Sequence, residues 1–361
     1  MSLLQPIQRD SLDANLLIGQ IDFNQGNRGT ARDIAADVIR ADPANAPAYN
    51  LLGLVDLTEG VYDSALQNFE TAAGLNPNLP DFQLNLARVH LARNDREAAR
   101  AVIAKARLAG PNSIQLMALE TVLFTRDADY VRAEHMLEAL DTAGFDPGLR
   151  LVLVGELREA QGEFVAAAEA YEAAYTRQPS LLLAMRASRA QQAAGLEDPT
   201  NVLVDWIDRS PEDVIGLKAL VAWHLGREEF QTAQQYLERL VAIDQEDWAA
   251  LNDLAWIYDE ANDDRALQTA QRAYGLEPAN PAIADTLGWI HLKSGNTESA
   301  LKLLNEAADK MPQHPEIQYH LAIAYRDSGD VASARQILTG LVQTNQTFPS
   351  RQAAEQALAK L

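Results

Sequence analysis

The chain has 361 residues, 47% of them hydrophobic, with 19 glycines and 15 prolines, a composition that excludes disordered and fibrous classes. It has no cysteine, which excludes disulfides, thiolate zinc sites and thiol nucleophiles while leaving the redox compartment open. Thirty basic residues against 51 acidic ones give a net charge of −21, a surface that repels phosphate backbones and suits neutral or basic partners.

The first residues, "MSLLQPIQRDSLDANLLIGQ", lack a charged region followed by an apolar run and do not read as a secretory signal. Residues 1–11 are read as a leader or a vector-derived remnant, which leaves open that an export signal has been removed. No apolar run approaches the length of a membrane span.

From Leu12 onward the sequence is periodic. Pro43, Pro77, Pro111, Pro179, Pro278 and Pro312 are separated by 34, 34, 68, 99 and 34 residues, close to multiples of 34. Copies begin at Leu12, Ala46, Pro80, Ile114, Gly148, Leu182, Val214, Trp248, Pro281 and Pro315. Glycines recur at the fifteenth position (Gly26, Gly60, Gly162, Gly295, Gly329), where a left-handed residue would end one helix and turn into the next. The recurring proline stops the second helix, and Pro80, Pro281 and Pro315 suit a first helical turn.

Between these marks the apolar residues follow helical spacing, as with Leu84, Leu86 and Leu91, or Leu301, Leu304 and Ala308; no strand is needed. Small residues recur at the eighth position (Gly19, Gly53, Ala87, Gly155, Ala255, Gly288, Ala322) and at the twentieth (Ala31, Ala65, Ala99, Ala133, Ala167, Ala233, Ala300, Ala334). There paired helices are expected to approach too closely for a large side chain. Three copies are irregular: the fourth is stretched at "DTAGFDPG", the sixth shortened around "GLEDPTN", and the eighth has lost a residue at "ANDDRA". The sixth is the weakest, and Leu196–Asn201 is read as its hinge.

This pattern resembles the tetratricopeptide repeat (TPR) family, whose signature is W-x2-L-G-x2-Y followed by Ala, a large apolar residue, Ala and Pro. "YNLLGLVD" supplies Tyr49, Leu52 and Gly53, followed by Ala65, Phe69, Ala72 and Pro77; "LNDLAWIY" supplies Leu251, Leu254, Ala255 and Tyr258. The resemblance runs from Leu12 to Gln346 and implies an all-α, right-handed superhelical α-solenoid of about ten helix pairs with a C-terminal capping helix. Residues 12–181 form repeats 1–5, 182–213 the irregular sixth, 214–346 repeats 7–10, and 347–361 the cap. In the cap, Ala354, Leu358 and Leu361 share one face, with Arg351, Glu355 and Lys360 elsewhere, so the array is expected to end here. The N-terminus shows no such cap, so repeats upstream are expected to be missing.

A narrower resemblance covers about the last 115 residues. "DTLGWIHLKSG", "PEIQYHLAIAY" and the terminal "FPSR" are similar to the end of the repeat lipoproteins of bacterial exosortase (PEP-CTERM) and exopolysaccharide systems. It implies a periplasmic or outer-membrane-associated protein, although the lipobox cysteine and export signal are absent from this chain and the cytoplasm remains the alternative.

Catalytic signatures are missing. His90, His224 and His291 share the eleventh position of their copies and are read as structural; His314 lies in an inter-repeat turn and His320 lacks metalloprotease spacing. Nucleophile-elbow, dinucleotide-fold and phosphate-loop motifs are absent, and no metal or cofactor is expected.

Binding has a location instead. In a solenoid the first helices line the concave face, and their fifth, ninth and twelfth positions point into it. These are Asn50, Leu54 and Leu57; Leu84, Arg88 and Leu91; Arg186 and Lys218; Asn252, Trp256 and Asp259; Asp285, Trp289 and Leu292; and Tyr319, Ile323 and Arg326. Trp256, Trp289 and Tyr319 are read as an aromatic floor, with Asn252, Asp259, Asp285 and Arg326 as polar contacts and Asn50 and Arg88 as a second candidate region. A covered tryptophan buries roughly 150–250 Å², or about 4–6 kcal/mol as an upper bound, so a wet one on this face calls for a partner. The expected function is a non-catalytic scaffold that binds a protein or peptide segment, in an envelope assembly for polymer export or surface-protein sorting. The alternatives are a structural spacer or self-assembling array, and a regulatory subunit of a polysaccharide-synthesis complex.

Overall fold

Eight of the first helices start at a side-chain cap. Asn45, Ser113, Asp146, Ser180, Asp213, Asp247, Asn280 and His314 each accept, through the side chain, a backbone N–H of the turn that follows. These caps satisfy donors that a helix N-terminus otherwise leaves open, typically worth about 1 kcal/mol each. Asp146 and Ser180 set the fifth and sixth copies one residue earlier than the repeat spacing suggests, at Pro147 and Leu181.

The computed structural model describes residues 12–77, 79–109, 113–344 and 346–361, and within them every regular element is α-helical. Residues 1–11 and Pro111, on which a leader and a helix stop were expected, lie outside the described residues. The chain divides into two compact units, the first ending at Val202 and the second starting at Leu203.

The first unit holds the pairs α1 (Leu12–Asn24) and α2 (Arg28–Ala41), α3 (Ala46–Thr58) and α4 (Tyr62–Leu75), and α5 (Pro80–Ala92) and α6 (Arg96–Ala109). It continues with α7 (Ile114–Arg126) and α8 (Tyr130–Thr142), α9 (Pro147–Gln161) and α10 (Phe164–Arg177), then α11 (Leu181–Ala193). The division falls inside α12 (Asn201–Arg209), a helix of only 9 residues where its counterparts in most copies have 13 or 14. The second unit holds α13 (Val214–Gly226) and α14 (Phe230–Ile243), α15 (Trp248–Glu260) and α16 (Arg265–Leu276), and α17 (Pro281–Lys293) and α18 (Thr297–Lys310). It ends with α19 (Pro315–Ser328), α20 (Val331–Gln343) and the single helix α21 (Arg351–Lys360). Among the described residues, nine packed helix pairs, the helices α11 and α12 of the sixth copy and a capping helix are therefore present, in the order that the period predicts.

The turn inside every pair is left-handed. Gly26, Gly60, Gly162, Gly295 and Gly329 have φ between 76° and 92°, and Gly195 in the sixth copy has φ of 68°. The remaining four copies carry Asn94, Ala128, Glu228 and Asn262 there, with φ of 54–59°, where a Cβ is strained.

The small residues sit where helices touch. All eight alanines at the twentieth position are fully buried, and Ala87, Ala255 and Ala322 at the eighth are too. A Cβ on Gly53 would lie 2.7 Å from the Phe69 ring, on Gly155 2.5 Å from Tyr171, and on Gly288 2.8 Å from Leu304. The large residue of the second helix therefore occupies the space that the glycine leaves.

Within each unit, a second helix packs on its own first helix and on the next one. First helices also touch each other directly, as α1·α3, α3·α5, α5·α7 and α7·α9, and as α15·α17 and α17·α19. First helices thus form the tighter, inner side of each stack. At the C-terminus α21 buries Ala354 and Ala357 against the last core cluster, with Leu358 and Leu361 at its margin. Arg351 donates to the carbonyls of Val342, Thr344 and Gln346, closing the end of α20.

Candidate peptide-binding face of the first helices

Adjacent copies interlock along this inner face through equivalent positions. In the first unit the Asn85 amide donates to Asn50 Oδ1 at 2.7 Å, and the Arg88 guanidinium donates to Asn85 Oδ1 at 2.7 Å. Asn85 is buried while Arg88 reaches solvent. In the second unit His320 Nδ1 lies 2.9 and 3.0 Å from the two oxygens of Asp285, again a sixth position meeting the fifth of the preceding copy. Further along the same helices, Lys293 Nζ approaches Asp259 at 2.9 Å, while Arg126 donates to the Leu91 carbonyl.

These contacts decide what each expected site residue can do. Tyr319 is buried at 9% exposure and Asp259 at 7%, the latter held by Lys293. Burial raises the Tyr319 hydroxyl above its ordinary value. Trp289 is half-buried, stacks on the His320 ring with centroids 4.2 Å apart, lies 6.1 Å from the Tyr319 ring, and packs against the C-terminal core cluster. Asp285 is engaged with His320, and Arg326 pairs with its neighbour Asp327 at 2.7 Å. The structure brings Trp289, Tyr319 and Asp285 together, largely as packing between copies. Arg186 and Lys218 likewise pair with Glu156 and Asp247.

Trp256 behaves differently. It is 37% exposed, and its ring contact is an edge-to-face one with Phe230, centroids 5.0 Å apart at 76°. One turn earlier on α15, Asn252 donates to the Asp253 carboxylate and leaves its own Oδ1 buried without a hydrogen-bond partner. Burial, with the nearby charge of Asp247, pushes the Asp253 carboxyl above the usual carboxylate range despite the Asn252 bond.

Two participants were not among the expected residues. His320 was set aside for lacking metal-ligand spacing; its separation of 35 residues from Asp285, one repeat plus one, was the available signal. Asp253 stood among many acidic helix residues, with nothing in the sequence to mark it as desolvated. Of the eleventh-position histidines, His224 is 9% exposed and 2.7 Å from Glu229, burial lowers the pKa of His291, and His90 Nδ1 is buried without a hydrogen-bond partner. His314 caps α19.

Two clefts elsewhere are closed electrostatically by their own walls. A cavity of about 620 Å³ among α14, α15 and α16 holds Tyr258 donating to Glu238 at 2.8 Å and Arg265 stacked 4.0 Å above the Tyr258 ring. One of about 300 Å³ between α7 and α9 holds Glu156 and Glu159, which Arg186 and Arg189 already pair. Among the described residues, no cluster of three or more metal-ligating side chains occurs, and no helix is long and apolar enough to cross a membrane.

Stacked helix pairs with a registered inner face define an α-solenoid scaffold suited to protein–protein interaction. Tetratricopeptide-repeat profiles match residues 56–123 and 291–361, and a further profile of the same description matches 16–80; these stretches are tetratricopeptide repeats. A TPR repeat-containing protein of Pseudomonas aeruginosa is 24% identical over 160 residues, covering 43% of this chain. The match spans only 27% of that curated relative's length. Among solved structures, a thermophilic TPR protein of Thermus thermophilus shares 19% identity over 52% of this chain and 100% of its own, with a TM-score of 0.45. PilW, a type IV pilus biogenesis factor, shares 15% identity over 56% of this chain and 94% of its own, with a TM-score of 0.46. Proteins built from such repeats are generally non-catalytic scaffolds that bind protein partners.

Proposed function

We propose that the protein is a non-enzymatic scaffold that binds an extended protein segment along the inner face of α15, α17 and α19. One observation carries this reading: Trp256 stands 37% exposed on the face whose equivalent tryptophan one copy later is covered by the chain itself. An exposed aromatic beside unpartnered polar atoms is the composition of a binding hot spot, in which the ring supplies affinity and the polar groups set orientation. Peptides selected on the full chain from a displayed random library should bind Trp256→Ala at least tenfold more weakly, about 1.4 kcal/mol. Equal binding by the variant, with its helical content unchanged, would remove α15 from the site and direct attention to Asn50 and Arg88.

The pathway is part of the same proposal. The C-terminal likeness to repeat lipoproteins of exosortase and exopolysaccharide systems supports a role in a bacterial envelope assembly. Fractionation of the native host, with antibody against this chain, would test it; recovery solely with cytosolic markers would refute it.

A further inference from the structure

Two tryptophans occupy the ninth position of adjacent first helices, and the chain treats them differently. Over Trp289 lies the His320 ring, stacked at 4.2 Å and fixed by the Asp285 carboxylate at 2.9 Å. A nitrogen heterocycle on an indole face, anchored by a carboxylate, is thus built from the chain's own side chains. His320 is the sixth residue of its copy. One copy earlier that position is Thr286, whose hydroxyl donates to the Ala282 carbonyl at 3.0 Å and which carries no ring or charge.

The Trp256 site has the same indole with no ring of the chain stacked over it as His320 stacks on Trp289; the fifth position, Asp285 in the later copy, is Asn252 here, and the carboxylate is Asp253, one residue further along the helix. Its indole is 37% exposed. Asp253, three residues earlier and half-buried, has no Lys or Arg paired with it among the described residues. Asn252 Oδ1 is buried without a donor. The unpaired polar groups, the half-buried Asp253 carboxylate and the buried Asn252 Oδ1, are acceptors, and the exposed ring presents a π-face, so the complementary group is a cation rich in N–H donors. The acidic excess of the chain favours approach of the same charge.

We propose that Asn252, Asp253 and Trp256 form a subsite for a cationic side chain, arginine or lysine, of the bound segment. This rests on the reading of α15 as part of the binding face and names the chemistry recognised there. The cation lies against the indole, its donors satisfy the Asp253 carboxylate and Asn252 Oδ1, and it takes the place that His320 holds over Trp289.

The full chain labelled with 5-fluorotryptophan carries five fluorine reporters, and Trp256→Phe identifies the one of interest. The probes are N-acetyl-arginine amide and N-acetyl-citrulline amide, which match in shape and differ in charge. The arginine probe should shift the Trp256 resonance saturably, with an apparent affinity at least tenfold tighter than citrulline. Asp253→Asn should abolish that preference, and the variant should fold because it removes an uncompensated carboxylate. Thr286→His, which offers an in-chain ring, should weaken the arginine probe severalfold. Equal responses to both probes, or an arginine response that survives Asp253→Asn, would overturn the inference. Library peptides that need Trp256 but show no enrichment in arginine or lysine would overturn the cation subsite and leave peptide binding standing. Peptides indifferent to Trp256 would refute the binding reading itself.

Discussion

Asp285 and His320 join two adjacent copies across 35 residues of sequence, with Oδ1 2.9 Å from the ring Nδ1 and both side chains 13% exposed. The same ring stacks on Trp289, so one residue links α17 and α19 by hydrogen bond and by aromatic contact. Replacing His320 by alanine leaves the carboxylate without its donor, and an unsatisfied buried acceptor costs about 1–3 kcal/mol. Urea unfolding of His320→Ala should show a loss of that order. A double-mutant cycle with Asp285→Ala should give a coupling of at least ~0.5 kcal/mol, as expected for residues in contact. Strict additivity would mean the pair contributes nothing beyond its separate parts.

Glycines in these helices fall into two classes with opposite expected responses. A Cβ on Gly155 would stand 2.5 Å from the fully buried Tyr171 ring, whereas one on Gly340 in α20 meets nothing within 4 Å. Gly155→Ala should therefore cost about 1–3 kcal/mol through overpacking. Gly340→Ala should gain roughly 0.5–1 kcal/mol from helix propensity. Thermal melts of the two variants should move in opposite directions.

The left-handed turn residues offer a gain. Ala128 and Glu228 adopt φ of 56° and 59° at a position that six copies fill with glycine. Relief of the Cβ clash is worth roughly 1–2 kcal/mol and is partly offset by a more flexible unfolded chain. Ala128→Gly and Glu228→Gly should each raise the unfolding midpoint modestly. A decrease in both would mean that the side chains contribute more than the strain they bear.

Uneven stability is expected along the chain. The sixth copy has the shortest second helix, and the division between the compact units falls within it. Repeat stacks are stabilised by nearest-neighbour contacts, so a short member weakens coupling on both sides. Native-state hydrogen exchange should find its fastest helical amides near residues 196–208, and protection that is uniform through α11, α12 and α13 would contradict this.

Much of the fold was legible because it is periodic. Proline stops, left-handed turns and buried alanines each act within one copy, and their spacing alone sets the helix pairs. The residues that determine the binding face act between copies, and two of them escaped notice for different reasons. His320 matters through a partner 35 residues away, a distance that becomes short only when copies are stacked. Asp253 matters because it is desolvated and lacks a cation, a property that depends on which neighbours fail to reach it. Trp256 and Trp289 looked alike for the same reason: the difference between them lies in the next copy, at Thr286 and His320.

The meeting of the eighth position with the second helix has a consequence for recombination. Phe69 and Tyr171 face glycines, while Ile103 and Leu338 share clusters with the alanines Ala87 and Ala322. Bulk on one helix is matched by its lack on the other, so an aromatic ring is tolerated only opposite a bare Cα. Exchange of a single helix between copies would set Tyr171 against Ala322. A helix pair carries both halves of this size match and can be transplanted whole. The heritable unit of this chain is therefore the hairpin, and crossovers that respect its boundaries are the ones its packing can survive.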